Sequence, residues 1–219
     1  MTVDVDVRRR LFWLAASLGW AALSIQMYLV CYYRWSSGGS LMGALMSFFS
    51  YFTVLTNMLM AVVLTCAATR RESAARRWFL QPWVSSGVAV SIAMVSLAYS
   101  FLLRRLFHPE GWQFVVDELL HDVMPLLFLL FWGFCVPKGT LRLMHVLLWL
   151  IYPCVYFAYA LLRGHFLSSY PYWFLNVNLL GYPQVFINAA WVLAGFVTIA
   201  LLVIGLDRWL GSRAKSQCL

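Results

Sequence analysis

Six stretches of this 219-residue chain, at 11–33, 45–68, 84–103, 116–136, 141–162 and 185–206, are apolar almost without interruption. Each is close to the ~20 residues that an α-helix needs to cross ~30 Å of hydrocarbon. The connections between them leave no room for a second, water-soluble domain. The pattern predicts an all-α fold, one membrane domain spanning 1–219, with six transmembrane helices. An even number of crossings puts both termini on the same side.

Composition agrees, with 63% hydrophobic and only 11% charged residues, where soluble domains have about half and about a quarter. The cations then choose the side. Arg8, Arg9, Arg10, Arg70, Arg71, Arg76, Arg77, Lys138, Arg142, Arg208, Arg213 and Lys215 share the face of the termini, leaving Arg34, Arg104, Arg105 and Arg163 for the other. Positive charge accumulates on the cytoplasmic side of membrane proteins, so both termini are predicted to be cytoplasmic. The same asymmetry accounts for the net charge of +8 without a nucleic-acid partner. Arg8–Arg10 and the 70–77 loop either set topology alone or also meet anionic lipid headgroups. The first apolar run is too long for a signal-peptide core and has no convincing cleavage site, so a retained first helix is expected. Cys31, Cys66, Cys135, Cys154 and Cys218 are scattered, with no C-x-x-C pair, and predict neither a disulfide framework nor a metal knuckle. Cys218 sits too close to the end for a prenylation box.

The connections on the basic face are short or Arg-rich. The longest on the other face, RGHFLSSYPYWFLNVNLLGYPQ at 163–184, is too apolar to float in water and is expected to fold back as an interfacial or re-entrant cap.

Ionisable groups inside a span are costly and therefore point to function. The densest group, Asp117, Glu118, His121 and Asp122, opens the fourth span. Helical spacing puts Glu118, His121 and Asp122 on one face, so that a carboxylate, Glu118 or Asp117, can orient the imidazole. Pro125 follows His121 by four residues; lacking an N–H, it frees the His121 carbonyl and loosens the helix there. In the second span Thr53 and Asn57 lie one turn apart with Thr56 beside them, at a depth similar to that of His121. On spacing alone these three read equally as interhelical hydrogen-bonding groups. In the fifth span Tyr152, Tyr156, Tyr159 and Arg163 form a stripe that either lines a cavity or packs as an aromatic seam. A metal site built from Glu118, His121, Asp122 and His165 has no recognised ligand spacing behind it, and no cofactor is predicted.

The strings SYFTVLTNMLMAV, LLHDVMPLLFLLFWGF, PKGTLR…LLWLIYPCVYFAYALLRG and YPYWFLNVNLLGY resemble the bacterial six-helix branch of the androgen-induced membrane protein family. Animal members of that wider family hydrolyse fatty acid esters of hydroxy fatty acids, using an intramembrane Thr and a His. The resemblance to the bacterial branch runs from about Leu11 to Trp209. To the animal enzymes it is narrower, chiefly the aromatic-Thr of Phe52-Thr53 and the His121…Pro125 pair, and by these motifs it implies Thr53 and His121 as the catalytic pair. Two positions depart from the branch: Phe131 stands where an Asp is usual before Trp132, and Asn176 where an Asp often follows Phe-Leu.

The resemblance implies an intramembrane hydrolase of lipid esters, in a bacterial cytoplasmic membrane, with membrane lipids as surroundings and a lipid ester as substrate. A Thr hydroxyl is a weak nucleophile until a base takes its proton, and His121 at the same depth is placed to do so. Asn57, Tyr156 or loop N–H groups are candidate oxyanion donors. The competing expectation is a lipid- or small-molecule-binding protein or transporter that uses the same polar cavity without chemistry. A transporter favours internal repeats, of which the sequence shows none.

Overall fold

The computed structural model describes residues 5–106 and 108–216. Among these the chain has helices and no strands, with nine α-helices in the order α1 Val5–Ser36, α2 Leu41–Phe48, α3 Phe52–Ala68, α4 Ala74–Phe79, α5 Pro82–Ala98, α6 Gly111–Glu118, α7 Met124–Cys135, α8 Met144–Leu167 and α9 Val177–Ser216. Two single turns of π-helix interrupt them. Tyr99–Leu103 continues α5, and Leu119–Val123 joins α6 to α7. Four helices, Val5–Ser36, Pro82–Leu103, Met144–Leu167 and Val177–Arg213, are long and apolar enough to cross a membrane. The α2–α3 pair makes a fifth if it counts as one bent span.

Three predicted segments differ in detail. The run 45–68 is not one helix: α2 and α3 meet at 73°. The physical cause lies in the turn, where Ser50 closes back on the Ser47 carbonyl through both its N–H (3.1 Å) and its hydroxyl (2.6 Å) and so ends α2. The expected cap at 163–184 is also mostly helix. It holds the end of α8, a 3-10 turn at Trp173–Leu175 and the start of α9, because its aromatic and aliphatic residues can satisfy their backbone only by helical bonding. Within α9 the helix kinks at Gly181, whose φ of 72° favours glycine, two residues before Pro183. The basic 69–83 connection contains a short helix, α4, started by the Ser73 side chain accepting from the Arg76 N–H. Among the described residues Cys31, Cys66, Cys135 and Cys154 form no disulfide, and Cys218 lies outside them.

The chain forms two compact units that divide between Pro137 and Lys138. In the first, α1 runs along α3, while α5 packs on both α3 and α7. Small residues permit the close approach of α1: Ala16, Gly19 and Ala22 are buried, and a Cβ at Gly19 would come within 3.0 Å of Met124 Cε. Trp132 donates from its indole to Ser86 Oγ at 2.8 Å, a bond worth ~1 kcal/mol or less in a membrane interior. One buried apolar cluster joins Ala22 and Leu23 of α1, Val54 and Ala61 of α3, and Val116 and Leu120 around the second π turn. That cluster fixes the first turn of α3 against the π turn.

In the second unit the connection before α8 is stapled to α9. Gly139, at φ 79°, donates its N–H to the Asp207 carbonyl at 3.1 Å, and the buried Asp207 carboxylate accepts the Leu141 N–H at 3.0 Å. Gly139 and Gly211 touch through their backbones: a Cβ on Gly211 would sit 2.6 Å from Gly139 Cα. Asp207→Ala leaves the Leu141 N–H buried without an acceptor and is expected to cost about 1–3 kcal/mol. Asp207→Asn, which keeps an acceptor oxygen, is expected to lose much less. Thermal melting of both variants in detergent checks this, and equal melting temperatures would show that the carboxylate does not hold the turn.

Candidate active site

Thr53 is the second residue of α3, directly after the bend. Its chain context is a helix start created by the Ser47–Ser50 turn, which carries the hydroxyl inside the bundle instead of leaving it mid-helix. Thr53 is 9% exposed. Facing it is His121, in the π turn Leu119–Val123. This is where Pro125 was expected to loosen the helix. The turn bonds i→i+5, the Met124 N–H reaching the Leu119 carbonyl. Such single π turns recur at functional sites because they rotate side chains out of helical phase.

The structure brings Thr53 and His121 together, with Oγ1 and Nε2 3.4 Å apart. On the other side of the imidazole, Nδ1 lies 2.9 Å from the Asp117 carbonyl oxygen and 3.3 Å from Asp117 Oδ1. Both neighbours of Nδ1 are acceptors, so the neutral ring carries its proton there. Nε2 then presents a lone pair to the Thr53 hydroxyl. The Thr–His–Asp order is that of a nucleophile, a base and a group that orients the base. At 3.4 Å the first contact is long, as such contacts often are before substrate tightens them.

Asp117, not Glu118, is the carboxylate beside the imidazole. The predicted shared face of Glu118, His121 and Asp122 assumed an unbroken α-helix, and the π turn between Glu118 and Met124 changes the phase. Glu118 and Asp122 instead face Arg104: Asp122 accepts from Nη2, and Glu118 Oε1 lies 3.7 Å from Nη1. This division separates the charges. Arg104 offsets two carboxylates that would otherwise crowd each other and leaves the third to the imidazole.

Two residues in this assembly were not among the predicted site residues. The Tyr99 ring stacks on His121 with centroids 3.9 Å apart and planes at 18°, and its hydroxyl donates to Asp117 Oδ2. Asp117 is thereby held between the Tyr99 phenol and the imidazole. The Arg104 guanidinium in turn lies 4.9 Å over the Tyr99 ring. Tyr99 and Arg104 are five apart, a spacing that α-helical periodicity does not place on one face. The first π turn does so, with the Arg104 N–H bonding to the Tyr99 carbonyl at 2.8 Å. The signal available in the sequence was charge: two Arg closing one span and three acids opening the next.

Asn57 is fully buried and acts as a clamp. Its Nδ2 donates to the Thr53 carbonyl at 2.9 Å and to the Leu120 carbonyl at 3.1 Å. Both amide hydrogens are used, so Asn57 is not free to serve as an oxyanion donor. It instead ties the turn carrying Thr53 to the turn carrying His121. Asn57→Leu keeps the volume but removes both bonds; it is expected to lower the melting temperature, costing about 1–3 kcal/mol, and to slow any reaction that needs the two turns in register. An unchanged melting curve would show the clamp to be dispensable. Thr56, beside it, is fully buried as well.

The remaining predicted residues belong to the second unit, on α8. Tyr156 is buried and Tyr159 is 39% exposed, so the tyrosines do not form one uniformly lining stripe, and Tyr152 is half-buried. Arg163 donates from Nη1 to the Ser169 carbonyl at 2.7 Å and thus fastens the loop after α8. Asn176 and Phe131 also find places. Asn176 Oδ1 accepts the Asn178 N–H at 3.1 Å, a capping role at the start of α9 that Asp fills equally well. Phe131 packs edge-on against Phe12, with centroids at 5.3 Å, ten residues or ~15 Å along the helix from His121. Among the described residues, no three His, Cys, Asp or Glu side chains converge as metal ligands.

In comparisons with known proteins the chain matches no family model, no curated protein and no solved structure.

Proposed function

We propose that this protein is an intramembrane hydrolase of lipid esters, with Thr53 as nucleophile, His121 as general base and acid, and Asp117 as the group that orients the imidazole. The observation that carries the reading is the unbroken relay from Thr53 Oγ1 through Nε2 and Nδ1 of His121 to Asp117. The motif resemblance supports it independently, since it singles out the same Thr and His from sequence. The substrate class follows from the surroundings. A hydroxyl and an imidazole inside an apolar bundle are reached by a long-chain ester moving in from the side more readily than by a water-soluble one.

In the reaction, Thr53 Oγ attacks the ester carbonyl carbon while its proton passes to Nε2 of His121. The tetrahedral intermediate collapses, the bond to the alcohol oxygen breaks, and His121 returns the proton to that oxygen. An acyl-threonine remains. Water then attacks it with His121 again as base, and collapse releases the fatty acid and restores the Thr53 hydroxyl. Asp117 stabilises the imidazolium formed in each half.

The topology that suits this reading has six spans: α1, the bent α2–α3 pair, α5, the run from α6 through the π turn to α7, α8 and α9. Both termini are then cytoplasmic by the distribution of Arg and Lys, in the cytoplasmic membrane of a bacterium. The site opens towards the outer leaflet. The test is direct: purified protein is incubated with a long-chain ester, quenched, and its peptides examined by mass spectrometry. An acyl group on the peptide containing Thr53 is expected. Saturable binding of the ester with neither turnover nor adduct would favour the binding protein instead.

A further inference from the structure

A second site lies in the same unit, at the opposite end of α1 from the bend. A cavity of about 740 Å³ opens between α1, α3 and α7, with Leu11, Leu18, Leu64, Leu127 and Phe134 among its walls and Arg8 at one end. From Arg8 to Leu18 it follows α1 for ten residues, ~15 Å of helix. That is half of a ~30 Å hydrocarbon core, the depth of a single leaflet. Above it the bundle is filled: Met60, Ala61 and Met124 are fully buried around Gly19.

The cations near the start of α1 are not equivalent. Arg70 and Arg9 are both drawn to Asp6, at 2.7 and 3.6 Å. Among the described residues Arg8 has no ion pair, and it is the charged residue that lines the cavity. An apolar slot one leaflet deep, ending on a guanidinium that no carboxylate among the described residues pairs, complements one kind of molecule. The geometry points to a bound anionic phospholipid, its acyl chain lying between α1 and α7 and its phosphate on Arg8. A guanidinium forks onto phosphate oxygens, whereas a zwitterionic headgroup brings its own cation to the same place. This site does not depend on the hydrolase reading, since it involves neither Thr53 nor His121.

The experiment reads lipid retention, not turnover. Full-length protein is placed in nanodiscs containing equal amounts of phosphatidylglycerol and phosphatidylcholine, extracted with limiting detergent, and the co-purifying lipid is quantified by mass spectrometry. The wild type is expected to retain phosphatidylglycerol over phosphatidylcholine by about five-fold, the effect of one interfacial cation. Arg8→Gln is expected to bring the ratio near one, while Arg10→Gln, which changes a neighbouring cation outside the cavity, leaves it high. Ala15→Phe, which fills the cavity from α1, is expected to lower retention of both lipids. Equal retention by the wild type, enrichment that survives Arg8→Gln, or an equal loss in Arg10→Gln would each overturn the assignment, the last by showing diffuse surface charge to be sufficient.

Discussion

Thr53→Ala is expected to reduce the turnover of a long-chain ester by about 10⁴-fold or more while leaving affinity for the ester nearly unchanged. The substitution removes one hydroxyl from a buried position in the first turn of α3. Alanine is the strongest helix former, and a lost methyl and hydroxyl at a site 9% exposed leave a small void, so the fold should survive. The loss would therefore report chemistry. Thr53→Ser sharpens the test, because it restores the nucleophile and drops only the methyl; it should keep measurable activity, within about 10²-fold of wild type. Initial rates for the three proteins in the same detergent, with melting curves as the control for folding, decide the matter. Turnover in Thr53→Ala comparable with wild type would mean that the hydroxyl next to His121 does no covalent work.

Much of this arrangement was legible from the residues because the bilayer allows few solutions. Long apolar runs predicted helices, and Pro125 predicted the loosened turn at His121 that the structure contains. Thr53 and His121 match in depth by their positions in the spans alone. What the residues did not reveal were departures from α-helical phase. A bend at Ser50 looks, in sequence, like one more polar residue in an apolar run. The first π turn puts Tyr99 and Arg104 on one face, and the second takes Glu118 off the face of His121 and leaves it with Asp122 to Arg104, while the Asp117–His121 contact keeps ordinary α-helical spacing. The pairing of Tyr99 with Arg104 and the separation of Glu118 from His121 follow from one extra residue per turn, which no periodicity based on 3.6 can register. Asn57 shows the same limit in another form. Its spacing from Thr53 marked it as polar and inward, but only the position of the Leu120 carbonyl shows that both its N–H groups are already committed.

His121→Gln is expected to match Thr53→Ala in severity, and the double variant Thr53→Ala/His121→Gln to be no worse than either alone. Glutamine approximates the imidazole in reach and hydrogen-bonding capacity but cannot take a proton at neutral pH, so it separates base catalysis from packing against Tyr99. Non-additivity is the informative result. Two groups that work on one proton have nothing further to lose once either is gone, whereas two independent binding contacts would multiply their effects. Asp117→Asn should be milder, about 10- to 100-fold, because the Asp117 carbonyl, closer to Nδ1 at 2.9 Å than the carboxylate at 3.3 Å, still holds the ring in its tautomer. What Asp117→Asn removes is the negative charge that stabilises the imidazolium, a smaller effect than loss of orientation. Rates for the single, double and Asp117 variants therefore test the relay as a unit. A double variant slower than wild type by the product of the two separate losses would show that Thr53 and His121 act independently, and the relay would have to be abandoned even if each substitution alone were damaging.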